Sequence, residues 1–282
     1  MADSNSANMK ILADCHVHST FSGDGKSEME DIVTAAINKG LCELCFTEHN
    51  DLCFPYENTE DPEGYFDLNT DSYLYEVLLM REKYWDKIKI GFGVELGMQT
   101  DAVEANRSYA KSNDFDFLIY SCHIVNKKDP YYPAYFEGRS EEAAMREYFQ
   151  CILDNLKLYK DYDVLGHLDY AIRYAPNADK NYSYSQYSDL IDPILSTVIA
   201  DGKGIEINTA GLRKHNLKDV NPNTDILRRY RELGGKIVTV GSDAHSAEEV
   251  GADFDRAAQV LKAAGFDYYC TFERRKPSVH NF

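Results

Sequence analysis

The stretch ILADCHVHSTFSGDG, residues 11–25, opens on a short apolar run and ends that run in two imidazoles, His16 and His18. A two-residue spacing on an extended chain turns both side chains to the same side. The pair is therefore a pincer for one metal ion. The same placement recurs down the chain. Further β-rich runs start at Leu44 (LCFT), Ile88 (IKIGFGV), Phe115 (FDFLIY), Asp163 (DVLG), Gly204 (GIEIN) and Lys236 (KIVTVG). The second leads into Glu48-His49, the third ends at Glu95, the fourth runs into His123, the fifth into His167, and the seventh into Asp243-Ala244-His245. Six of the eight histidines thus follow strands, outside which lie only His215 and His280, read as solvent-exposed.

Helical patterns lie between these runs, over 28–38, 140–159, 187–200 and 224–233, the last stopped by Gly234 and Gly235. Alternating strands and helices predict an α/β fold with a parallel sheet. If the sheet closes into a barrel, groups from many strands converge on its C-terminal face however distant they are in sequence. A lone histidine after a strand is usually structural, but six repeats of one placement point to a shared site. Imidazole with carboxylate is the ligand set of zinc, iron and manganese, and the sequence leaves the choice among them open.

Composition sets the outer bounds. The 282 residues carry 30 Lys+Arg against 47 Asp+Glu, a formal charge of −17, which disfavours a nucleic-acid binder. A small phosphorylated substrate is compatible with it. With 44% hydrophobic and 27% charged residues the chain has ordinary globular usage, and no repeat or Pro/Gly/Ser-rich linker divides it. One domain over residues 1–282 is expected, with a flexible lead over 1–10. There is no signal-peptide pattern and no apolar run long enough to span a bilayer, and the seven cysteines sit mostly in apolar runs. Those features predict a cytoplasmic protein with free thiols, Cys42 and Cys45 included.

Two long connections follow strands. Residues 50–70 hold six acids (Asp51, Glu57, Glu60, Asp61, Glu63 and Asp67) and no Lys or Arg, whereas 126–139 holds Tyr131, Tyr132, Tyr135 and Phe136. The first is placed to fold over the pocket and attract a cation, and the second to offer it aromatic faces.

DCHVHSTFSGDG, FTEHN, GVELG, SCH, GHLD and GSDAH together resemble the motif series of the polymerase and histidinol phosphatase (PHP) superfamily, from Asp14 to about His245. GHLDYAIRY, EINTAGLRK and GSDAH are most similar to its monofunctional histidinol-phosphatase branch. The resemblance implies a distorted (β/α)7 TIM-like barrel holding three divalent transition-metal ions. His16, His18, Glu95 and Asp243 would hold the first. Glu95 would bridge to a second held by His123 and His167, and Asp24, His49 and His245 would hold the third. Asp24 departs from a common histidine of the superfamily, which makes the third site the weakest. The implied activity is hydrolysis of L-histidinol phosphate in histidine biosynthesis, with other phosphoesters (nucleotide, oligonucleotide, phosphotyrosine) as the alternative.

Phosphate monoesters need an activated water and cations on the phosphoryl oxygens. Arg173, six residues past His167, and Arg213, just past GIEIN, are suited to bidentate bonds with phosphate. The proton for the leaving alkoxide is left among Asp243, His245 and a bound water. Asp14 and Glu48 adjoin ligands and are expected to orient imidazoles. An amidohydrolase barrel fits Glu95 and the Asp243/His245 pair poorly. A metal-loaded regulator without turnover fits the full ligand set no better.

Overall fold

The computed structural model describes residues 10–215 and 217–282. The expected flexible lead therefore falls, except for Lys10, outside the described residues. All seven expected strands form: β1 Ala13–Val17, β2 Glu43–Asn50, β3 Lys89–Gly97, β4 Phe117–Ser121, β5 Val164–Leu165, β6 Gly204–Asn208 and β7 Val238–Gly241. They pair in chain order and every pairing is parallel. The barrel closes between its first and last strands, where Asp243 N donates to His16 O (2.8 Å) and His18 N to Ala244 O (2.8 Å).

Helices follow the strands as the βαβ connection demands: α1 Met29–Asn38, α2 Thr70–Lys83, α3 Val103–Ser112, α4 Glu141–Leu158, α5 Ser188–Ala200, α6 Ala210–Lys214, α7 Thr224–Glu232 and α8 Phe254–Ala263. Their spacing explains their docking. In α1, Met29, Ile32, Val33 and Ala36 recur at helical intervals and are buried. Ser140 and Asn223 cap α4 and α7 by accepting the backbone N–H groups of Ala143 and Ile226, which fixes both entry points. Strands sandwiched between helices and the barrel interior are buried along nearly their whole length, which is why they read as apolar runs.

One element was absent from the sequence reading. Strands β8 Tyr268–Glu273 and β9 Lys276–Asn281 form an antiparallel hairpin turned at Arg274-Arg275, both at positive φ (48° and 63°). Arginines occupy the positions where Asn-Gly normally announces such a turn, and Pro277 argues against a strand. The hairpin seals the N-terminal end of the barrel: Arg275 Nε donates to Asp163 Oδ2 (2.5 Å), Arg274 N to Asp116 Oδ1 (3.0 Å), and Leu12 N to the Tyr269 hydroxyl (3.1 Å). That leaves the opposite end for chemistry. No helix among the described residues is long and apolar enough to cross a membrane.

Candidate metal centre

The parallel register brings the strand-end residues together. His49 on β2 is the direct neighbour of Glu95 on β3. The barrel closure sets Asp243 against His16. Glu95 lies at the centre with its two oxygens facing opposite ways: Oε1 is 2.9 Å from His167 Nε2 and 3.3 Å from His123 Nε2, and Oε2 is 3.3 Å from His16 Nε2 and 3.6 Å from His18 Nε2. Asp243 Oδ1 completes the second group at 3.8 and 3.6 Å from the same His16 and His18 nitrogens. A third group lies toward the mouth, with Asp24 3.0 Å from His245 Nε2 and 3.7 Å from His49 Nε2. All nine expected ligands lie in one cluster, but its groups overlap: His49 Nδ1 is also 3.0 Å from Glu95 Oε2, and His18 groups with His49 and His245 as well as with His16 and Glu95.

The spacing suits metal ions. Ligands bonded at about 2.1 Å in a tetrahedron lie about 3.4 Å from one another, and most of these separations fall near that value. Glu95 Oε2 and Asp24 Oδ1 are buried and accept no hydrogen bond from the protein. A buried carboxylate oxygen without a donor is costly, and a cation is what would satisfy it. The donor set of six imidazoles and three carboxylates fits zinc, iron or manganese.

The electrostatics agree. Burial works against charge on His16, yet Glu206, Glu95 and Asp243 outweigh it and raise its pKa well above the usual histidine value. His18 is pushed well below that value by burial and by His49, His245 and His16 around it. Burial alone would raise Glu95, but His16, His123 and His49 hold it well below the carboxylate range. The cluster is built to keep its carboxylates ionised and His18 neutral, the state in which each can ligate.

The residues that aim the imidazoles differ from those expected. Glu206 Oε1 holds His16 Nδ1 at 2.6 Å, Asp51 Oδ2 holds His123 Nδ1 at 3.1 Å, and Ser22 Oγ lies 3.2 Å from His18 Nδ1. In each case Nε2 is left facing the centre. Asp14 touches no imidazole; it accepts from the backbone N–H groups of Ser242 (2.9 Å) and Gly251 (2.8 Å) and ties β1 to the loop after β7. Glu48 accepts from both Ser19 and Ser22 and supports His18 only through Ser22. Glu206 read as an ordinary residue of GIEIN, and Asp51 as part of the acidic run. Two glycines make room for these carboxylates. A Cβ on Gly97 would lie 1.9 Å from Asp51 Oδ1, and one on Gly241 2.5 Å from Glu206 Oε1.

Above the cluster is a pocket of about 580 Å³. Arg173 forms part of its wall, held by Asn221 Oδ1 (2.9 Å), Asn208 Oδ1 (2.7 Å) and Asp243 Oδ2 (3.1 Å), which leaves two of its five N–H groups unused. Arg213 is not brought to this wall. It donates to Ser242 O (2.5 Å) and Asp243 O (3.3 Å), and the pocket is reached instead by its neighbour Lys214, 3.2 Å from His245 Nδ1.

His215 also lines the pocket, with its ring edge-on to Tyr174 at 4.8 Å, so its expected exposure is corrected. It follows α6, which turns toward the mouth. His280 is half-buried against Tyr269 and 2.8 Å from Thr271 Oγ1. From the two long connections the pocket receives Asp51, Glu60, Asp61, Asp129, Tyr131 and Tyr132, and the Tyr132 hydroxyl donates to Asp61 (3.1 Å) to join the two loops. Tyr135 and Phe136 are buried in the core instead, where the Tyr135 hydroxyl donates to Ala144 O.

The PHP domain model matches residues 14–210. Over 95% of this chain and 96% of its own length, the histidinol-phosphatase of Lactococcus lactis subsp. lactis is 34% identical. A Thermotoga maritima protein named "Probable histidinol-phosphatase" is also 34% identical, over 91% of this chain and 94% of its own. The crystal structure of the Lactococcus lactis histidinol phosphate phosphatase complexed with zinc, L-histidinol and phosphate superposes with a TM-score of 0.83 at 32% identity, covering 95% of this chain and 98% of that one. With its seven parallel strands, its ligand-bearing strand ends and these relatives, the chain belongs to the PHP family.

Proposed function

We propose that this protein hydrolyses L-histidinol phosphate to L-histidinol and phosphate in histidine biosynthesis, acting as one barrel domain of residues 1–282. The observation that carries the reading is the polarity of the pocket, with a metal-ligand cluster at its floor and carboxylates and tyrosines at its mouth. A phosphate suits the floor. An alcohol bearing ammonium and imidazole suits Glu60, Asp61, Asp129 and the faces of Tyr131 and Tyr132.

Three divalent transition-metal ions would be held by His16, His18, Glu95 and Asp243, by Glu95, His123 and His167, and by Asp24, His49 and His245. When bound they supply an activated water and positive charge for the phosphoryl oxygens. The chain's own part is orientation and charge. Arg173, pinned by two asparagines and Asp243, presents its spare N–H groups to the phosphate. Lys214 adds charge at the rim, while Arg213, from behind, fixes the backbone of Ser242 and Asp243. The proton for the leaving alkoxide would come from Asp243, His245 or a bound water. Glu206, Asp51 and Ser22 hold three of the imidazoles in orientation.

The test is the specificity of phosphate release. kcat/KM for histidinol phosphate should exceed that for nucleotide and neutral-alcohol monophosphates by at least about a hundredfold, roughly 2.7 kcal/mol of discrimination. A nucleotide or oligonucleotide as the better substrate would overturn the assignment.

A further inference from the structure

Asp169 is a buried acid with no part in the chemistry above. It closes the GHLD run two residues past His167 and is 1% exposed, yet among the described residues it enters none of the ligand groups, and it does not line the pocket. A carboxylate out of water must be matched by donors. Three meet it here: Asn221 Nδ2 at Oδ1 (2.7 Å), and Asn223 N and the Tyr182 hydroxyl at Oδ2 (3.1 Å each). Asn221 reaches onward to the pocket wall. Its side-chain oxygen accepts from Arg173 Nε (2.9 Å), and its backbone is bonded both ways to Asn208 at the end of β6 (2.8 and 2.9 Å), so the side chain starts from a fixed point.

We propose that Asp169 is a positioning residue for phosphate binding, which through Asn221 fixes the Arg173 guanidinium at the wall of the pocket. This role rests on the reading of that pocket as a phosphoesterase site. The direction of the hydrogens decides it. A carboxylate facing three donors only accepts, and a guanidinium only donates. Between them the Asn221 amide has one workable orientation, NH2 toward Asp169 and oxygen toward Arg173. With Asn208 Oδ1 and Asp243 Oδ2 on its other nitrogens, Arg173 is held on three sides. Donors fixed in this way need no rearrangement when a phosphoryl group arrives. Reversing the polarity at position 169 should therefore propagate. In Asp169→Asn the backbone N–H of Asn223 still requires the oxygen, so the new NH2 faces Asn221. The Asn221 amide must then turn over, which sets its own NH2 against Arg173 Nε, donor against donor. Arg173 loses that bond and its aim.

Calorimetric titration of inorganic phosphate into the metal-loaded full chain, beside steady-state hydrolysis of an aryl phosphate, forms the test. Asp169→Asn should keep its metal content and lose roughly tenfold or more in both phosphate affinity and kcat/KM, as a bond to a charged group is worth. In an Arg173→Ala background the same change should move neither by more than about twofold. Asp169→Asn combined with Asn221→Asp should restore most of the loss, because the carboxylate introduced at 221 accepts from both the new amide and Arg173 Nε. A merely structural role gives no such rescue. Parental affinity in Asp169→Asn, an equal loss with and without Arg173, or a double swap no better than the single change would overturn the proposal. Should Asp169→Asn fail to fold, Asn221→Ala, which removes the middle link, must show the same loss and the same dependence on Arg173, and parental affinity in it overturns the proposal equally. Phosphate and an aryl ester are the probes, so a preference for an ester other than histidinol phosphate would end the reading of substrate without touching this result.

Discussion

Glu95 lies at the centre of the candidate site, with Oε1 beside His167 and His123 and Oε2 beside His16, His18 and His49. Glu95→Ala should therefore remove more than one equivalent of metal, whereas Asp24→Ala, at the half-buried rim, should remove at most one and retain more activity. Metal analysis beside kinetics checks this, and equal metal content in the two variants would contradict the bridging role. Asp129 makes a second prediction at this scale. Burial pushes its carboxyl up to about 7, against the opposing bond from Tyr131 N. It is neutral below that pH and an anion above it, so its attraction for a cationic substrate end grows as pH rises. The ratio of kcat/KM between the parent protein and Asp129→Asn should increase from pH 6 to pH 8, by up to about tenfold for roughly 1.4 kcal/mol. A flat ratio would leave Asp129 a loop-bonding role only. Asp24 was reached only through the family resemblance; the other eight expected ligands were legible because each lies at or just past the end of a strand. Glu206, Asp51 and His215 were not, since nothing local in sequence distinguishes a strand glutamate that faces an imidazole from one that faces elsewhere.

At the scale of elements, strand ends place the ligands and connections shape the pocket over them. β7 lies so close to β1 on one side and β6 on the other that a Cβ on Gly241 would also lie 2.3 Å from His16 Cβ. Gly241→Ala should displace Glu206 from His16 and weaken metal binding by about ten- to a hundredfold, as loss of an orienting partner does. Competition with a chelator measures it, and unchanged affinity would show that the barrel absorbs the methyl. The 50–70 connection makes the complementary case. Glu60 and Asp61 reach the mouth, while Glu57, Glu63 and Asp67 do not line it. Glu60→Gln with Asp61→Asn should narrow the preference for histidinol phosphate while leaving hydrolysis of an aryl phosphate intact. An unaltered preference would place recognition of the cation elsewhere. Seven strands could be read because fully buried parallel strands are short apolar runs bounded by turn residues. The eighth and ninth could not, because their turn uses arginines and β9 is exposed along nearly all its length.

The molecule as a whole divides its labour between the two ends of one barrel. Stability resides at the floor, where the β8–β9 hairpin supplies donors to Asp116 and Asp163 below β4 and β5; the ligands gather at the opposite end. This separation makes the two ends independently perturbable. A chelator should abolish activity and lower the melting temperature, since ions bound only by the folded state stabilise it by mass action; full activity in metal-free protein would refute the metal mechanism. Arg275→Ala acts at the other end. Asp163 is 5% exposed, and burial raises its pKa although Arg275 opposes the rise. Removing the arginine leaves a buried carboxylate with only the backbone N–H of Leu118 as donor, at a cost of about 2 to 4 kcal/mol. The sign with pH follows. The orphaned carboxyl has a folded pKa above its unfolded value, so its penalty applies where the unfolded group is ionised and the folded group resists ionisation. The stability gap between Arg275→Ala and the parent should thus be wide at pH 7 and shrink as pH falls toward 4. Metal content and kcat should stay at parental values throughout, because no ligand lies within that end of the barrel. If Arg275→Ala instead lost its metal, strain would be passing along the strands from floor to mouth, and the two ends could not be regarded as separate.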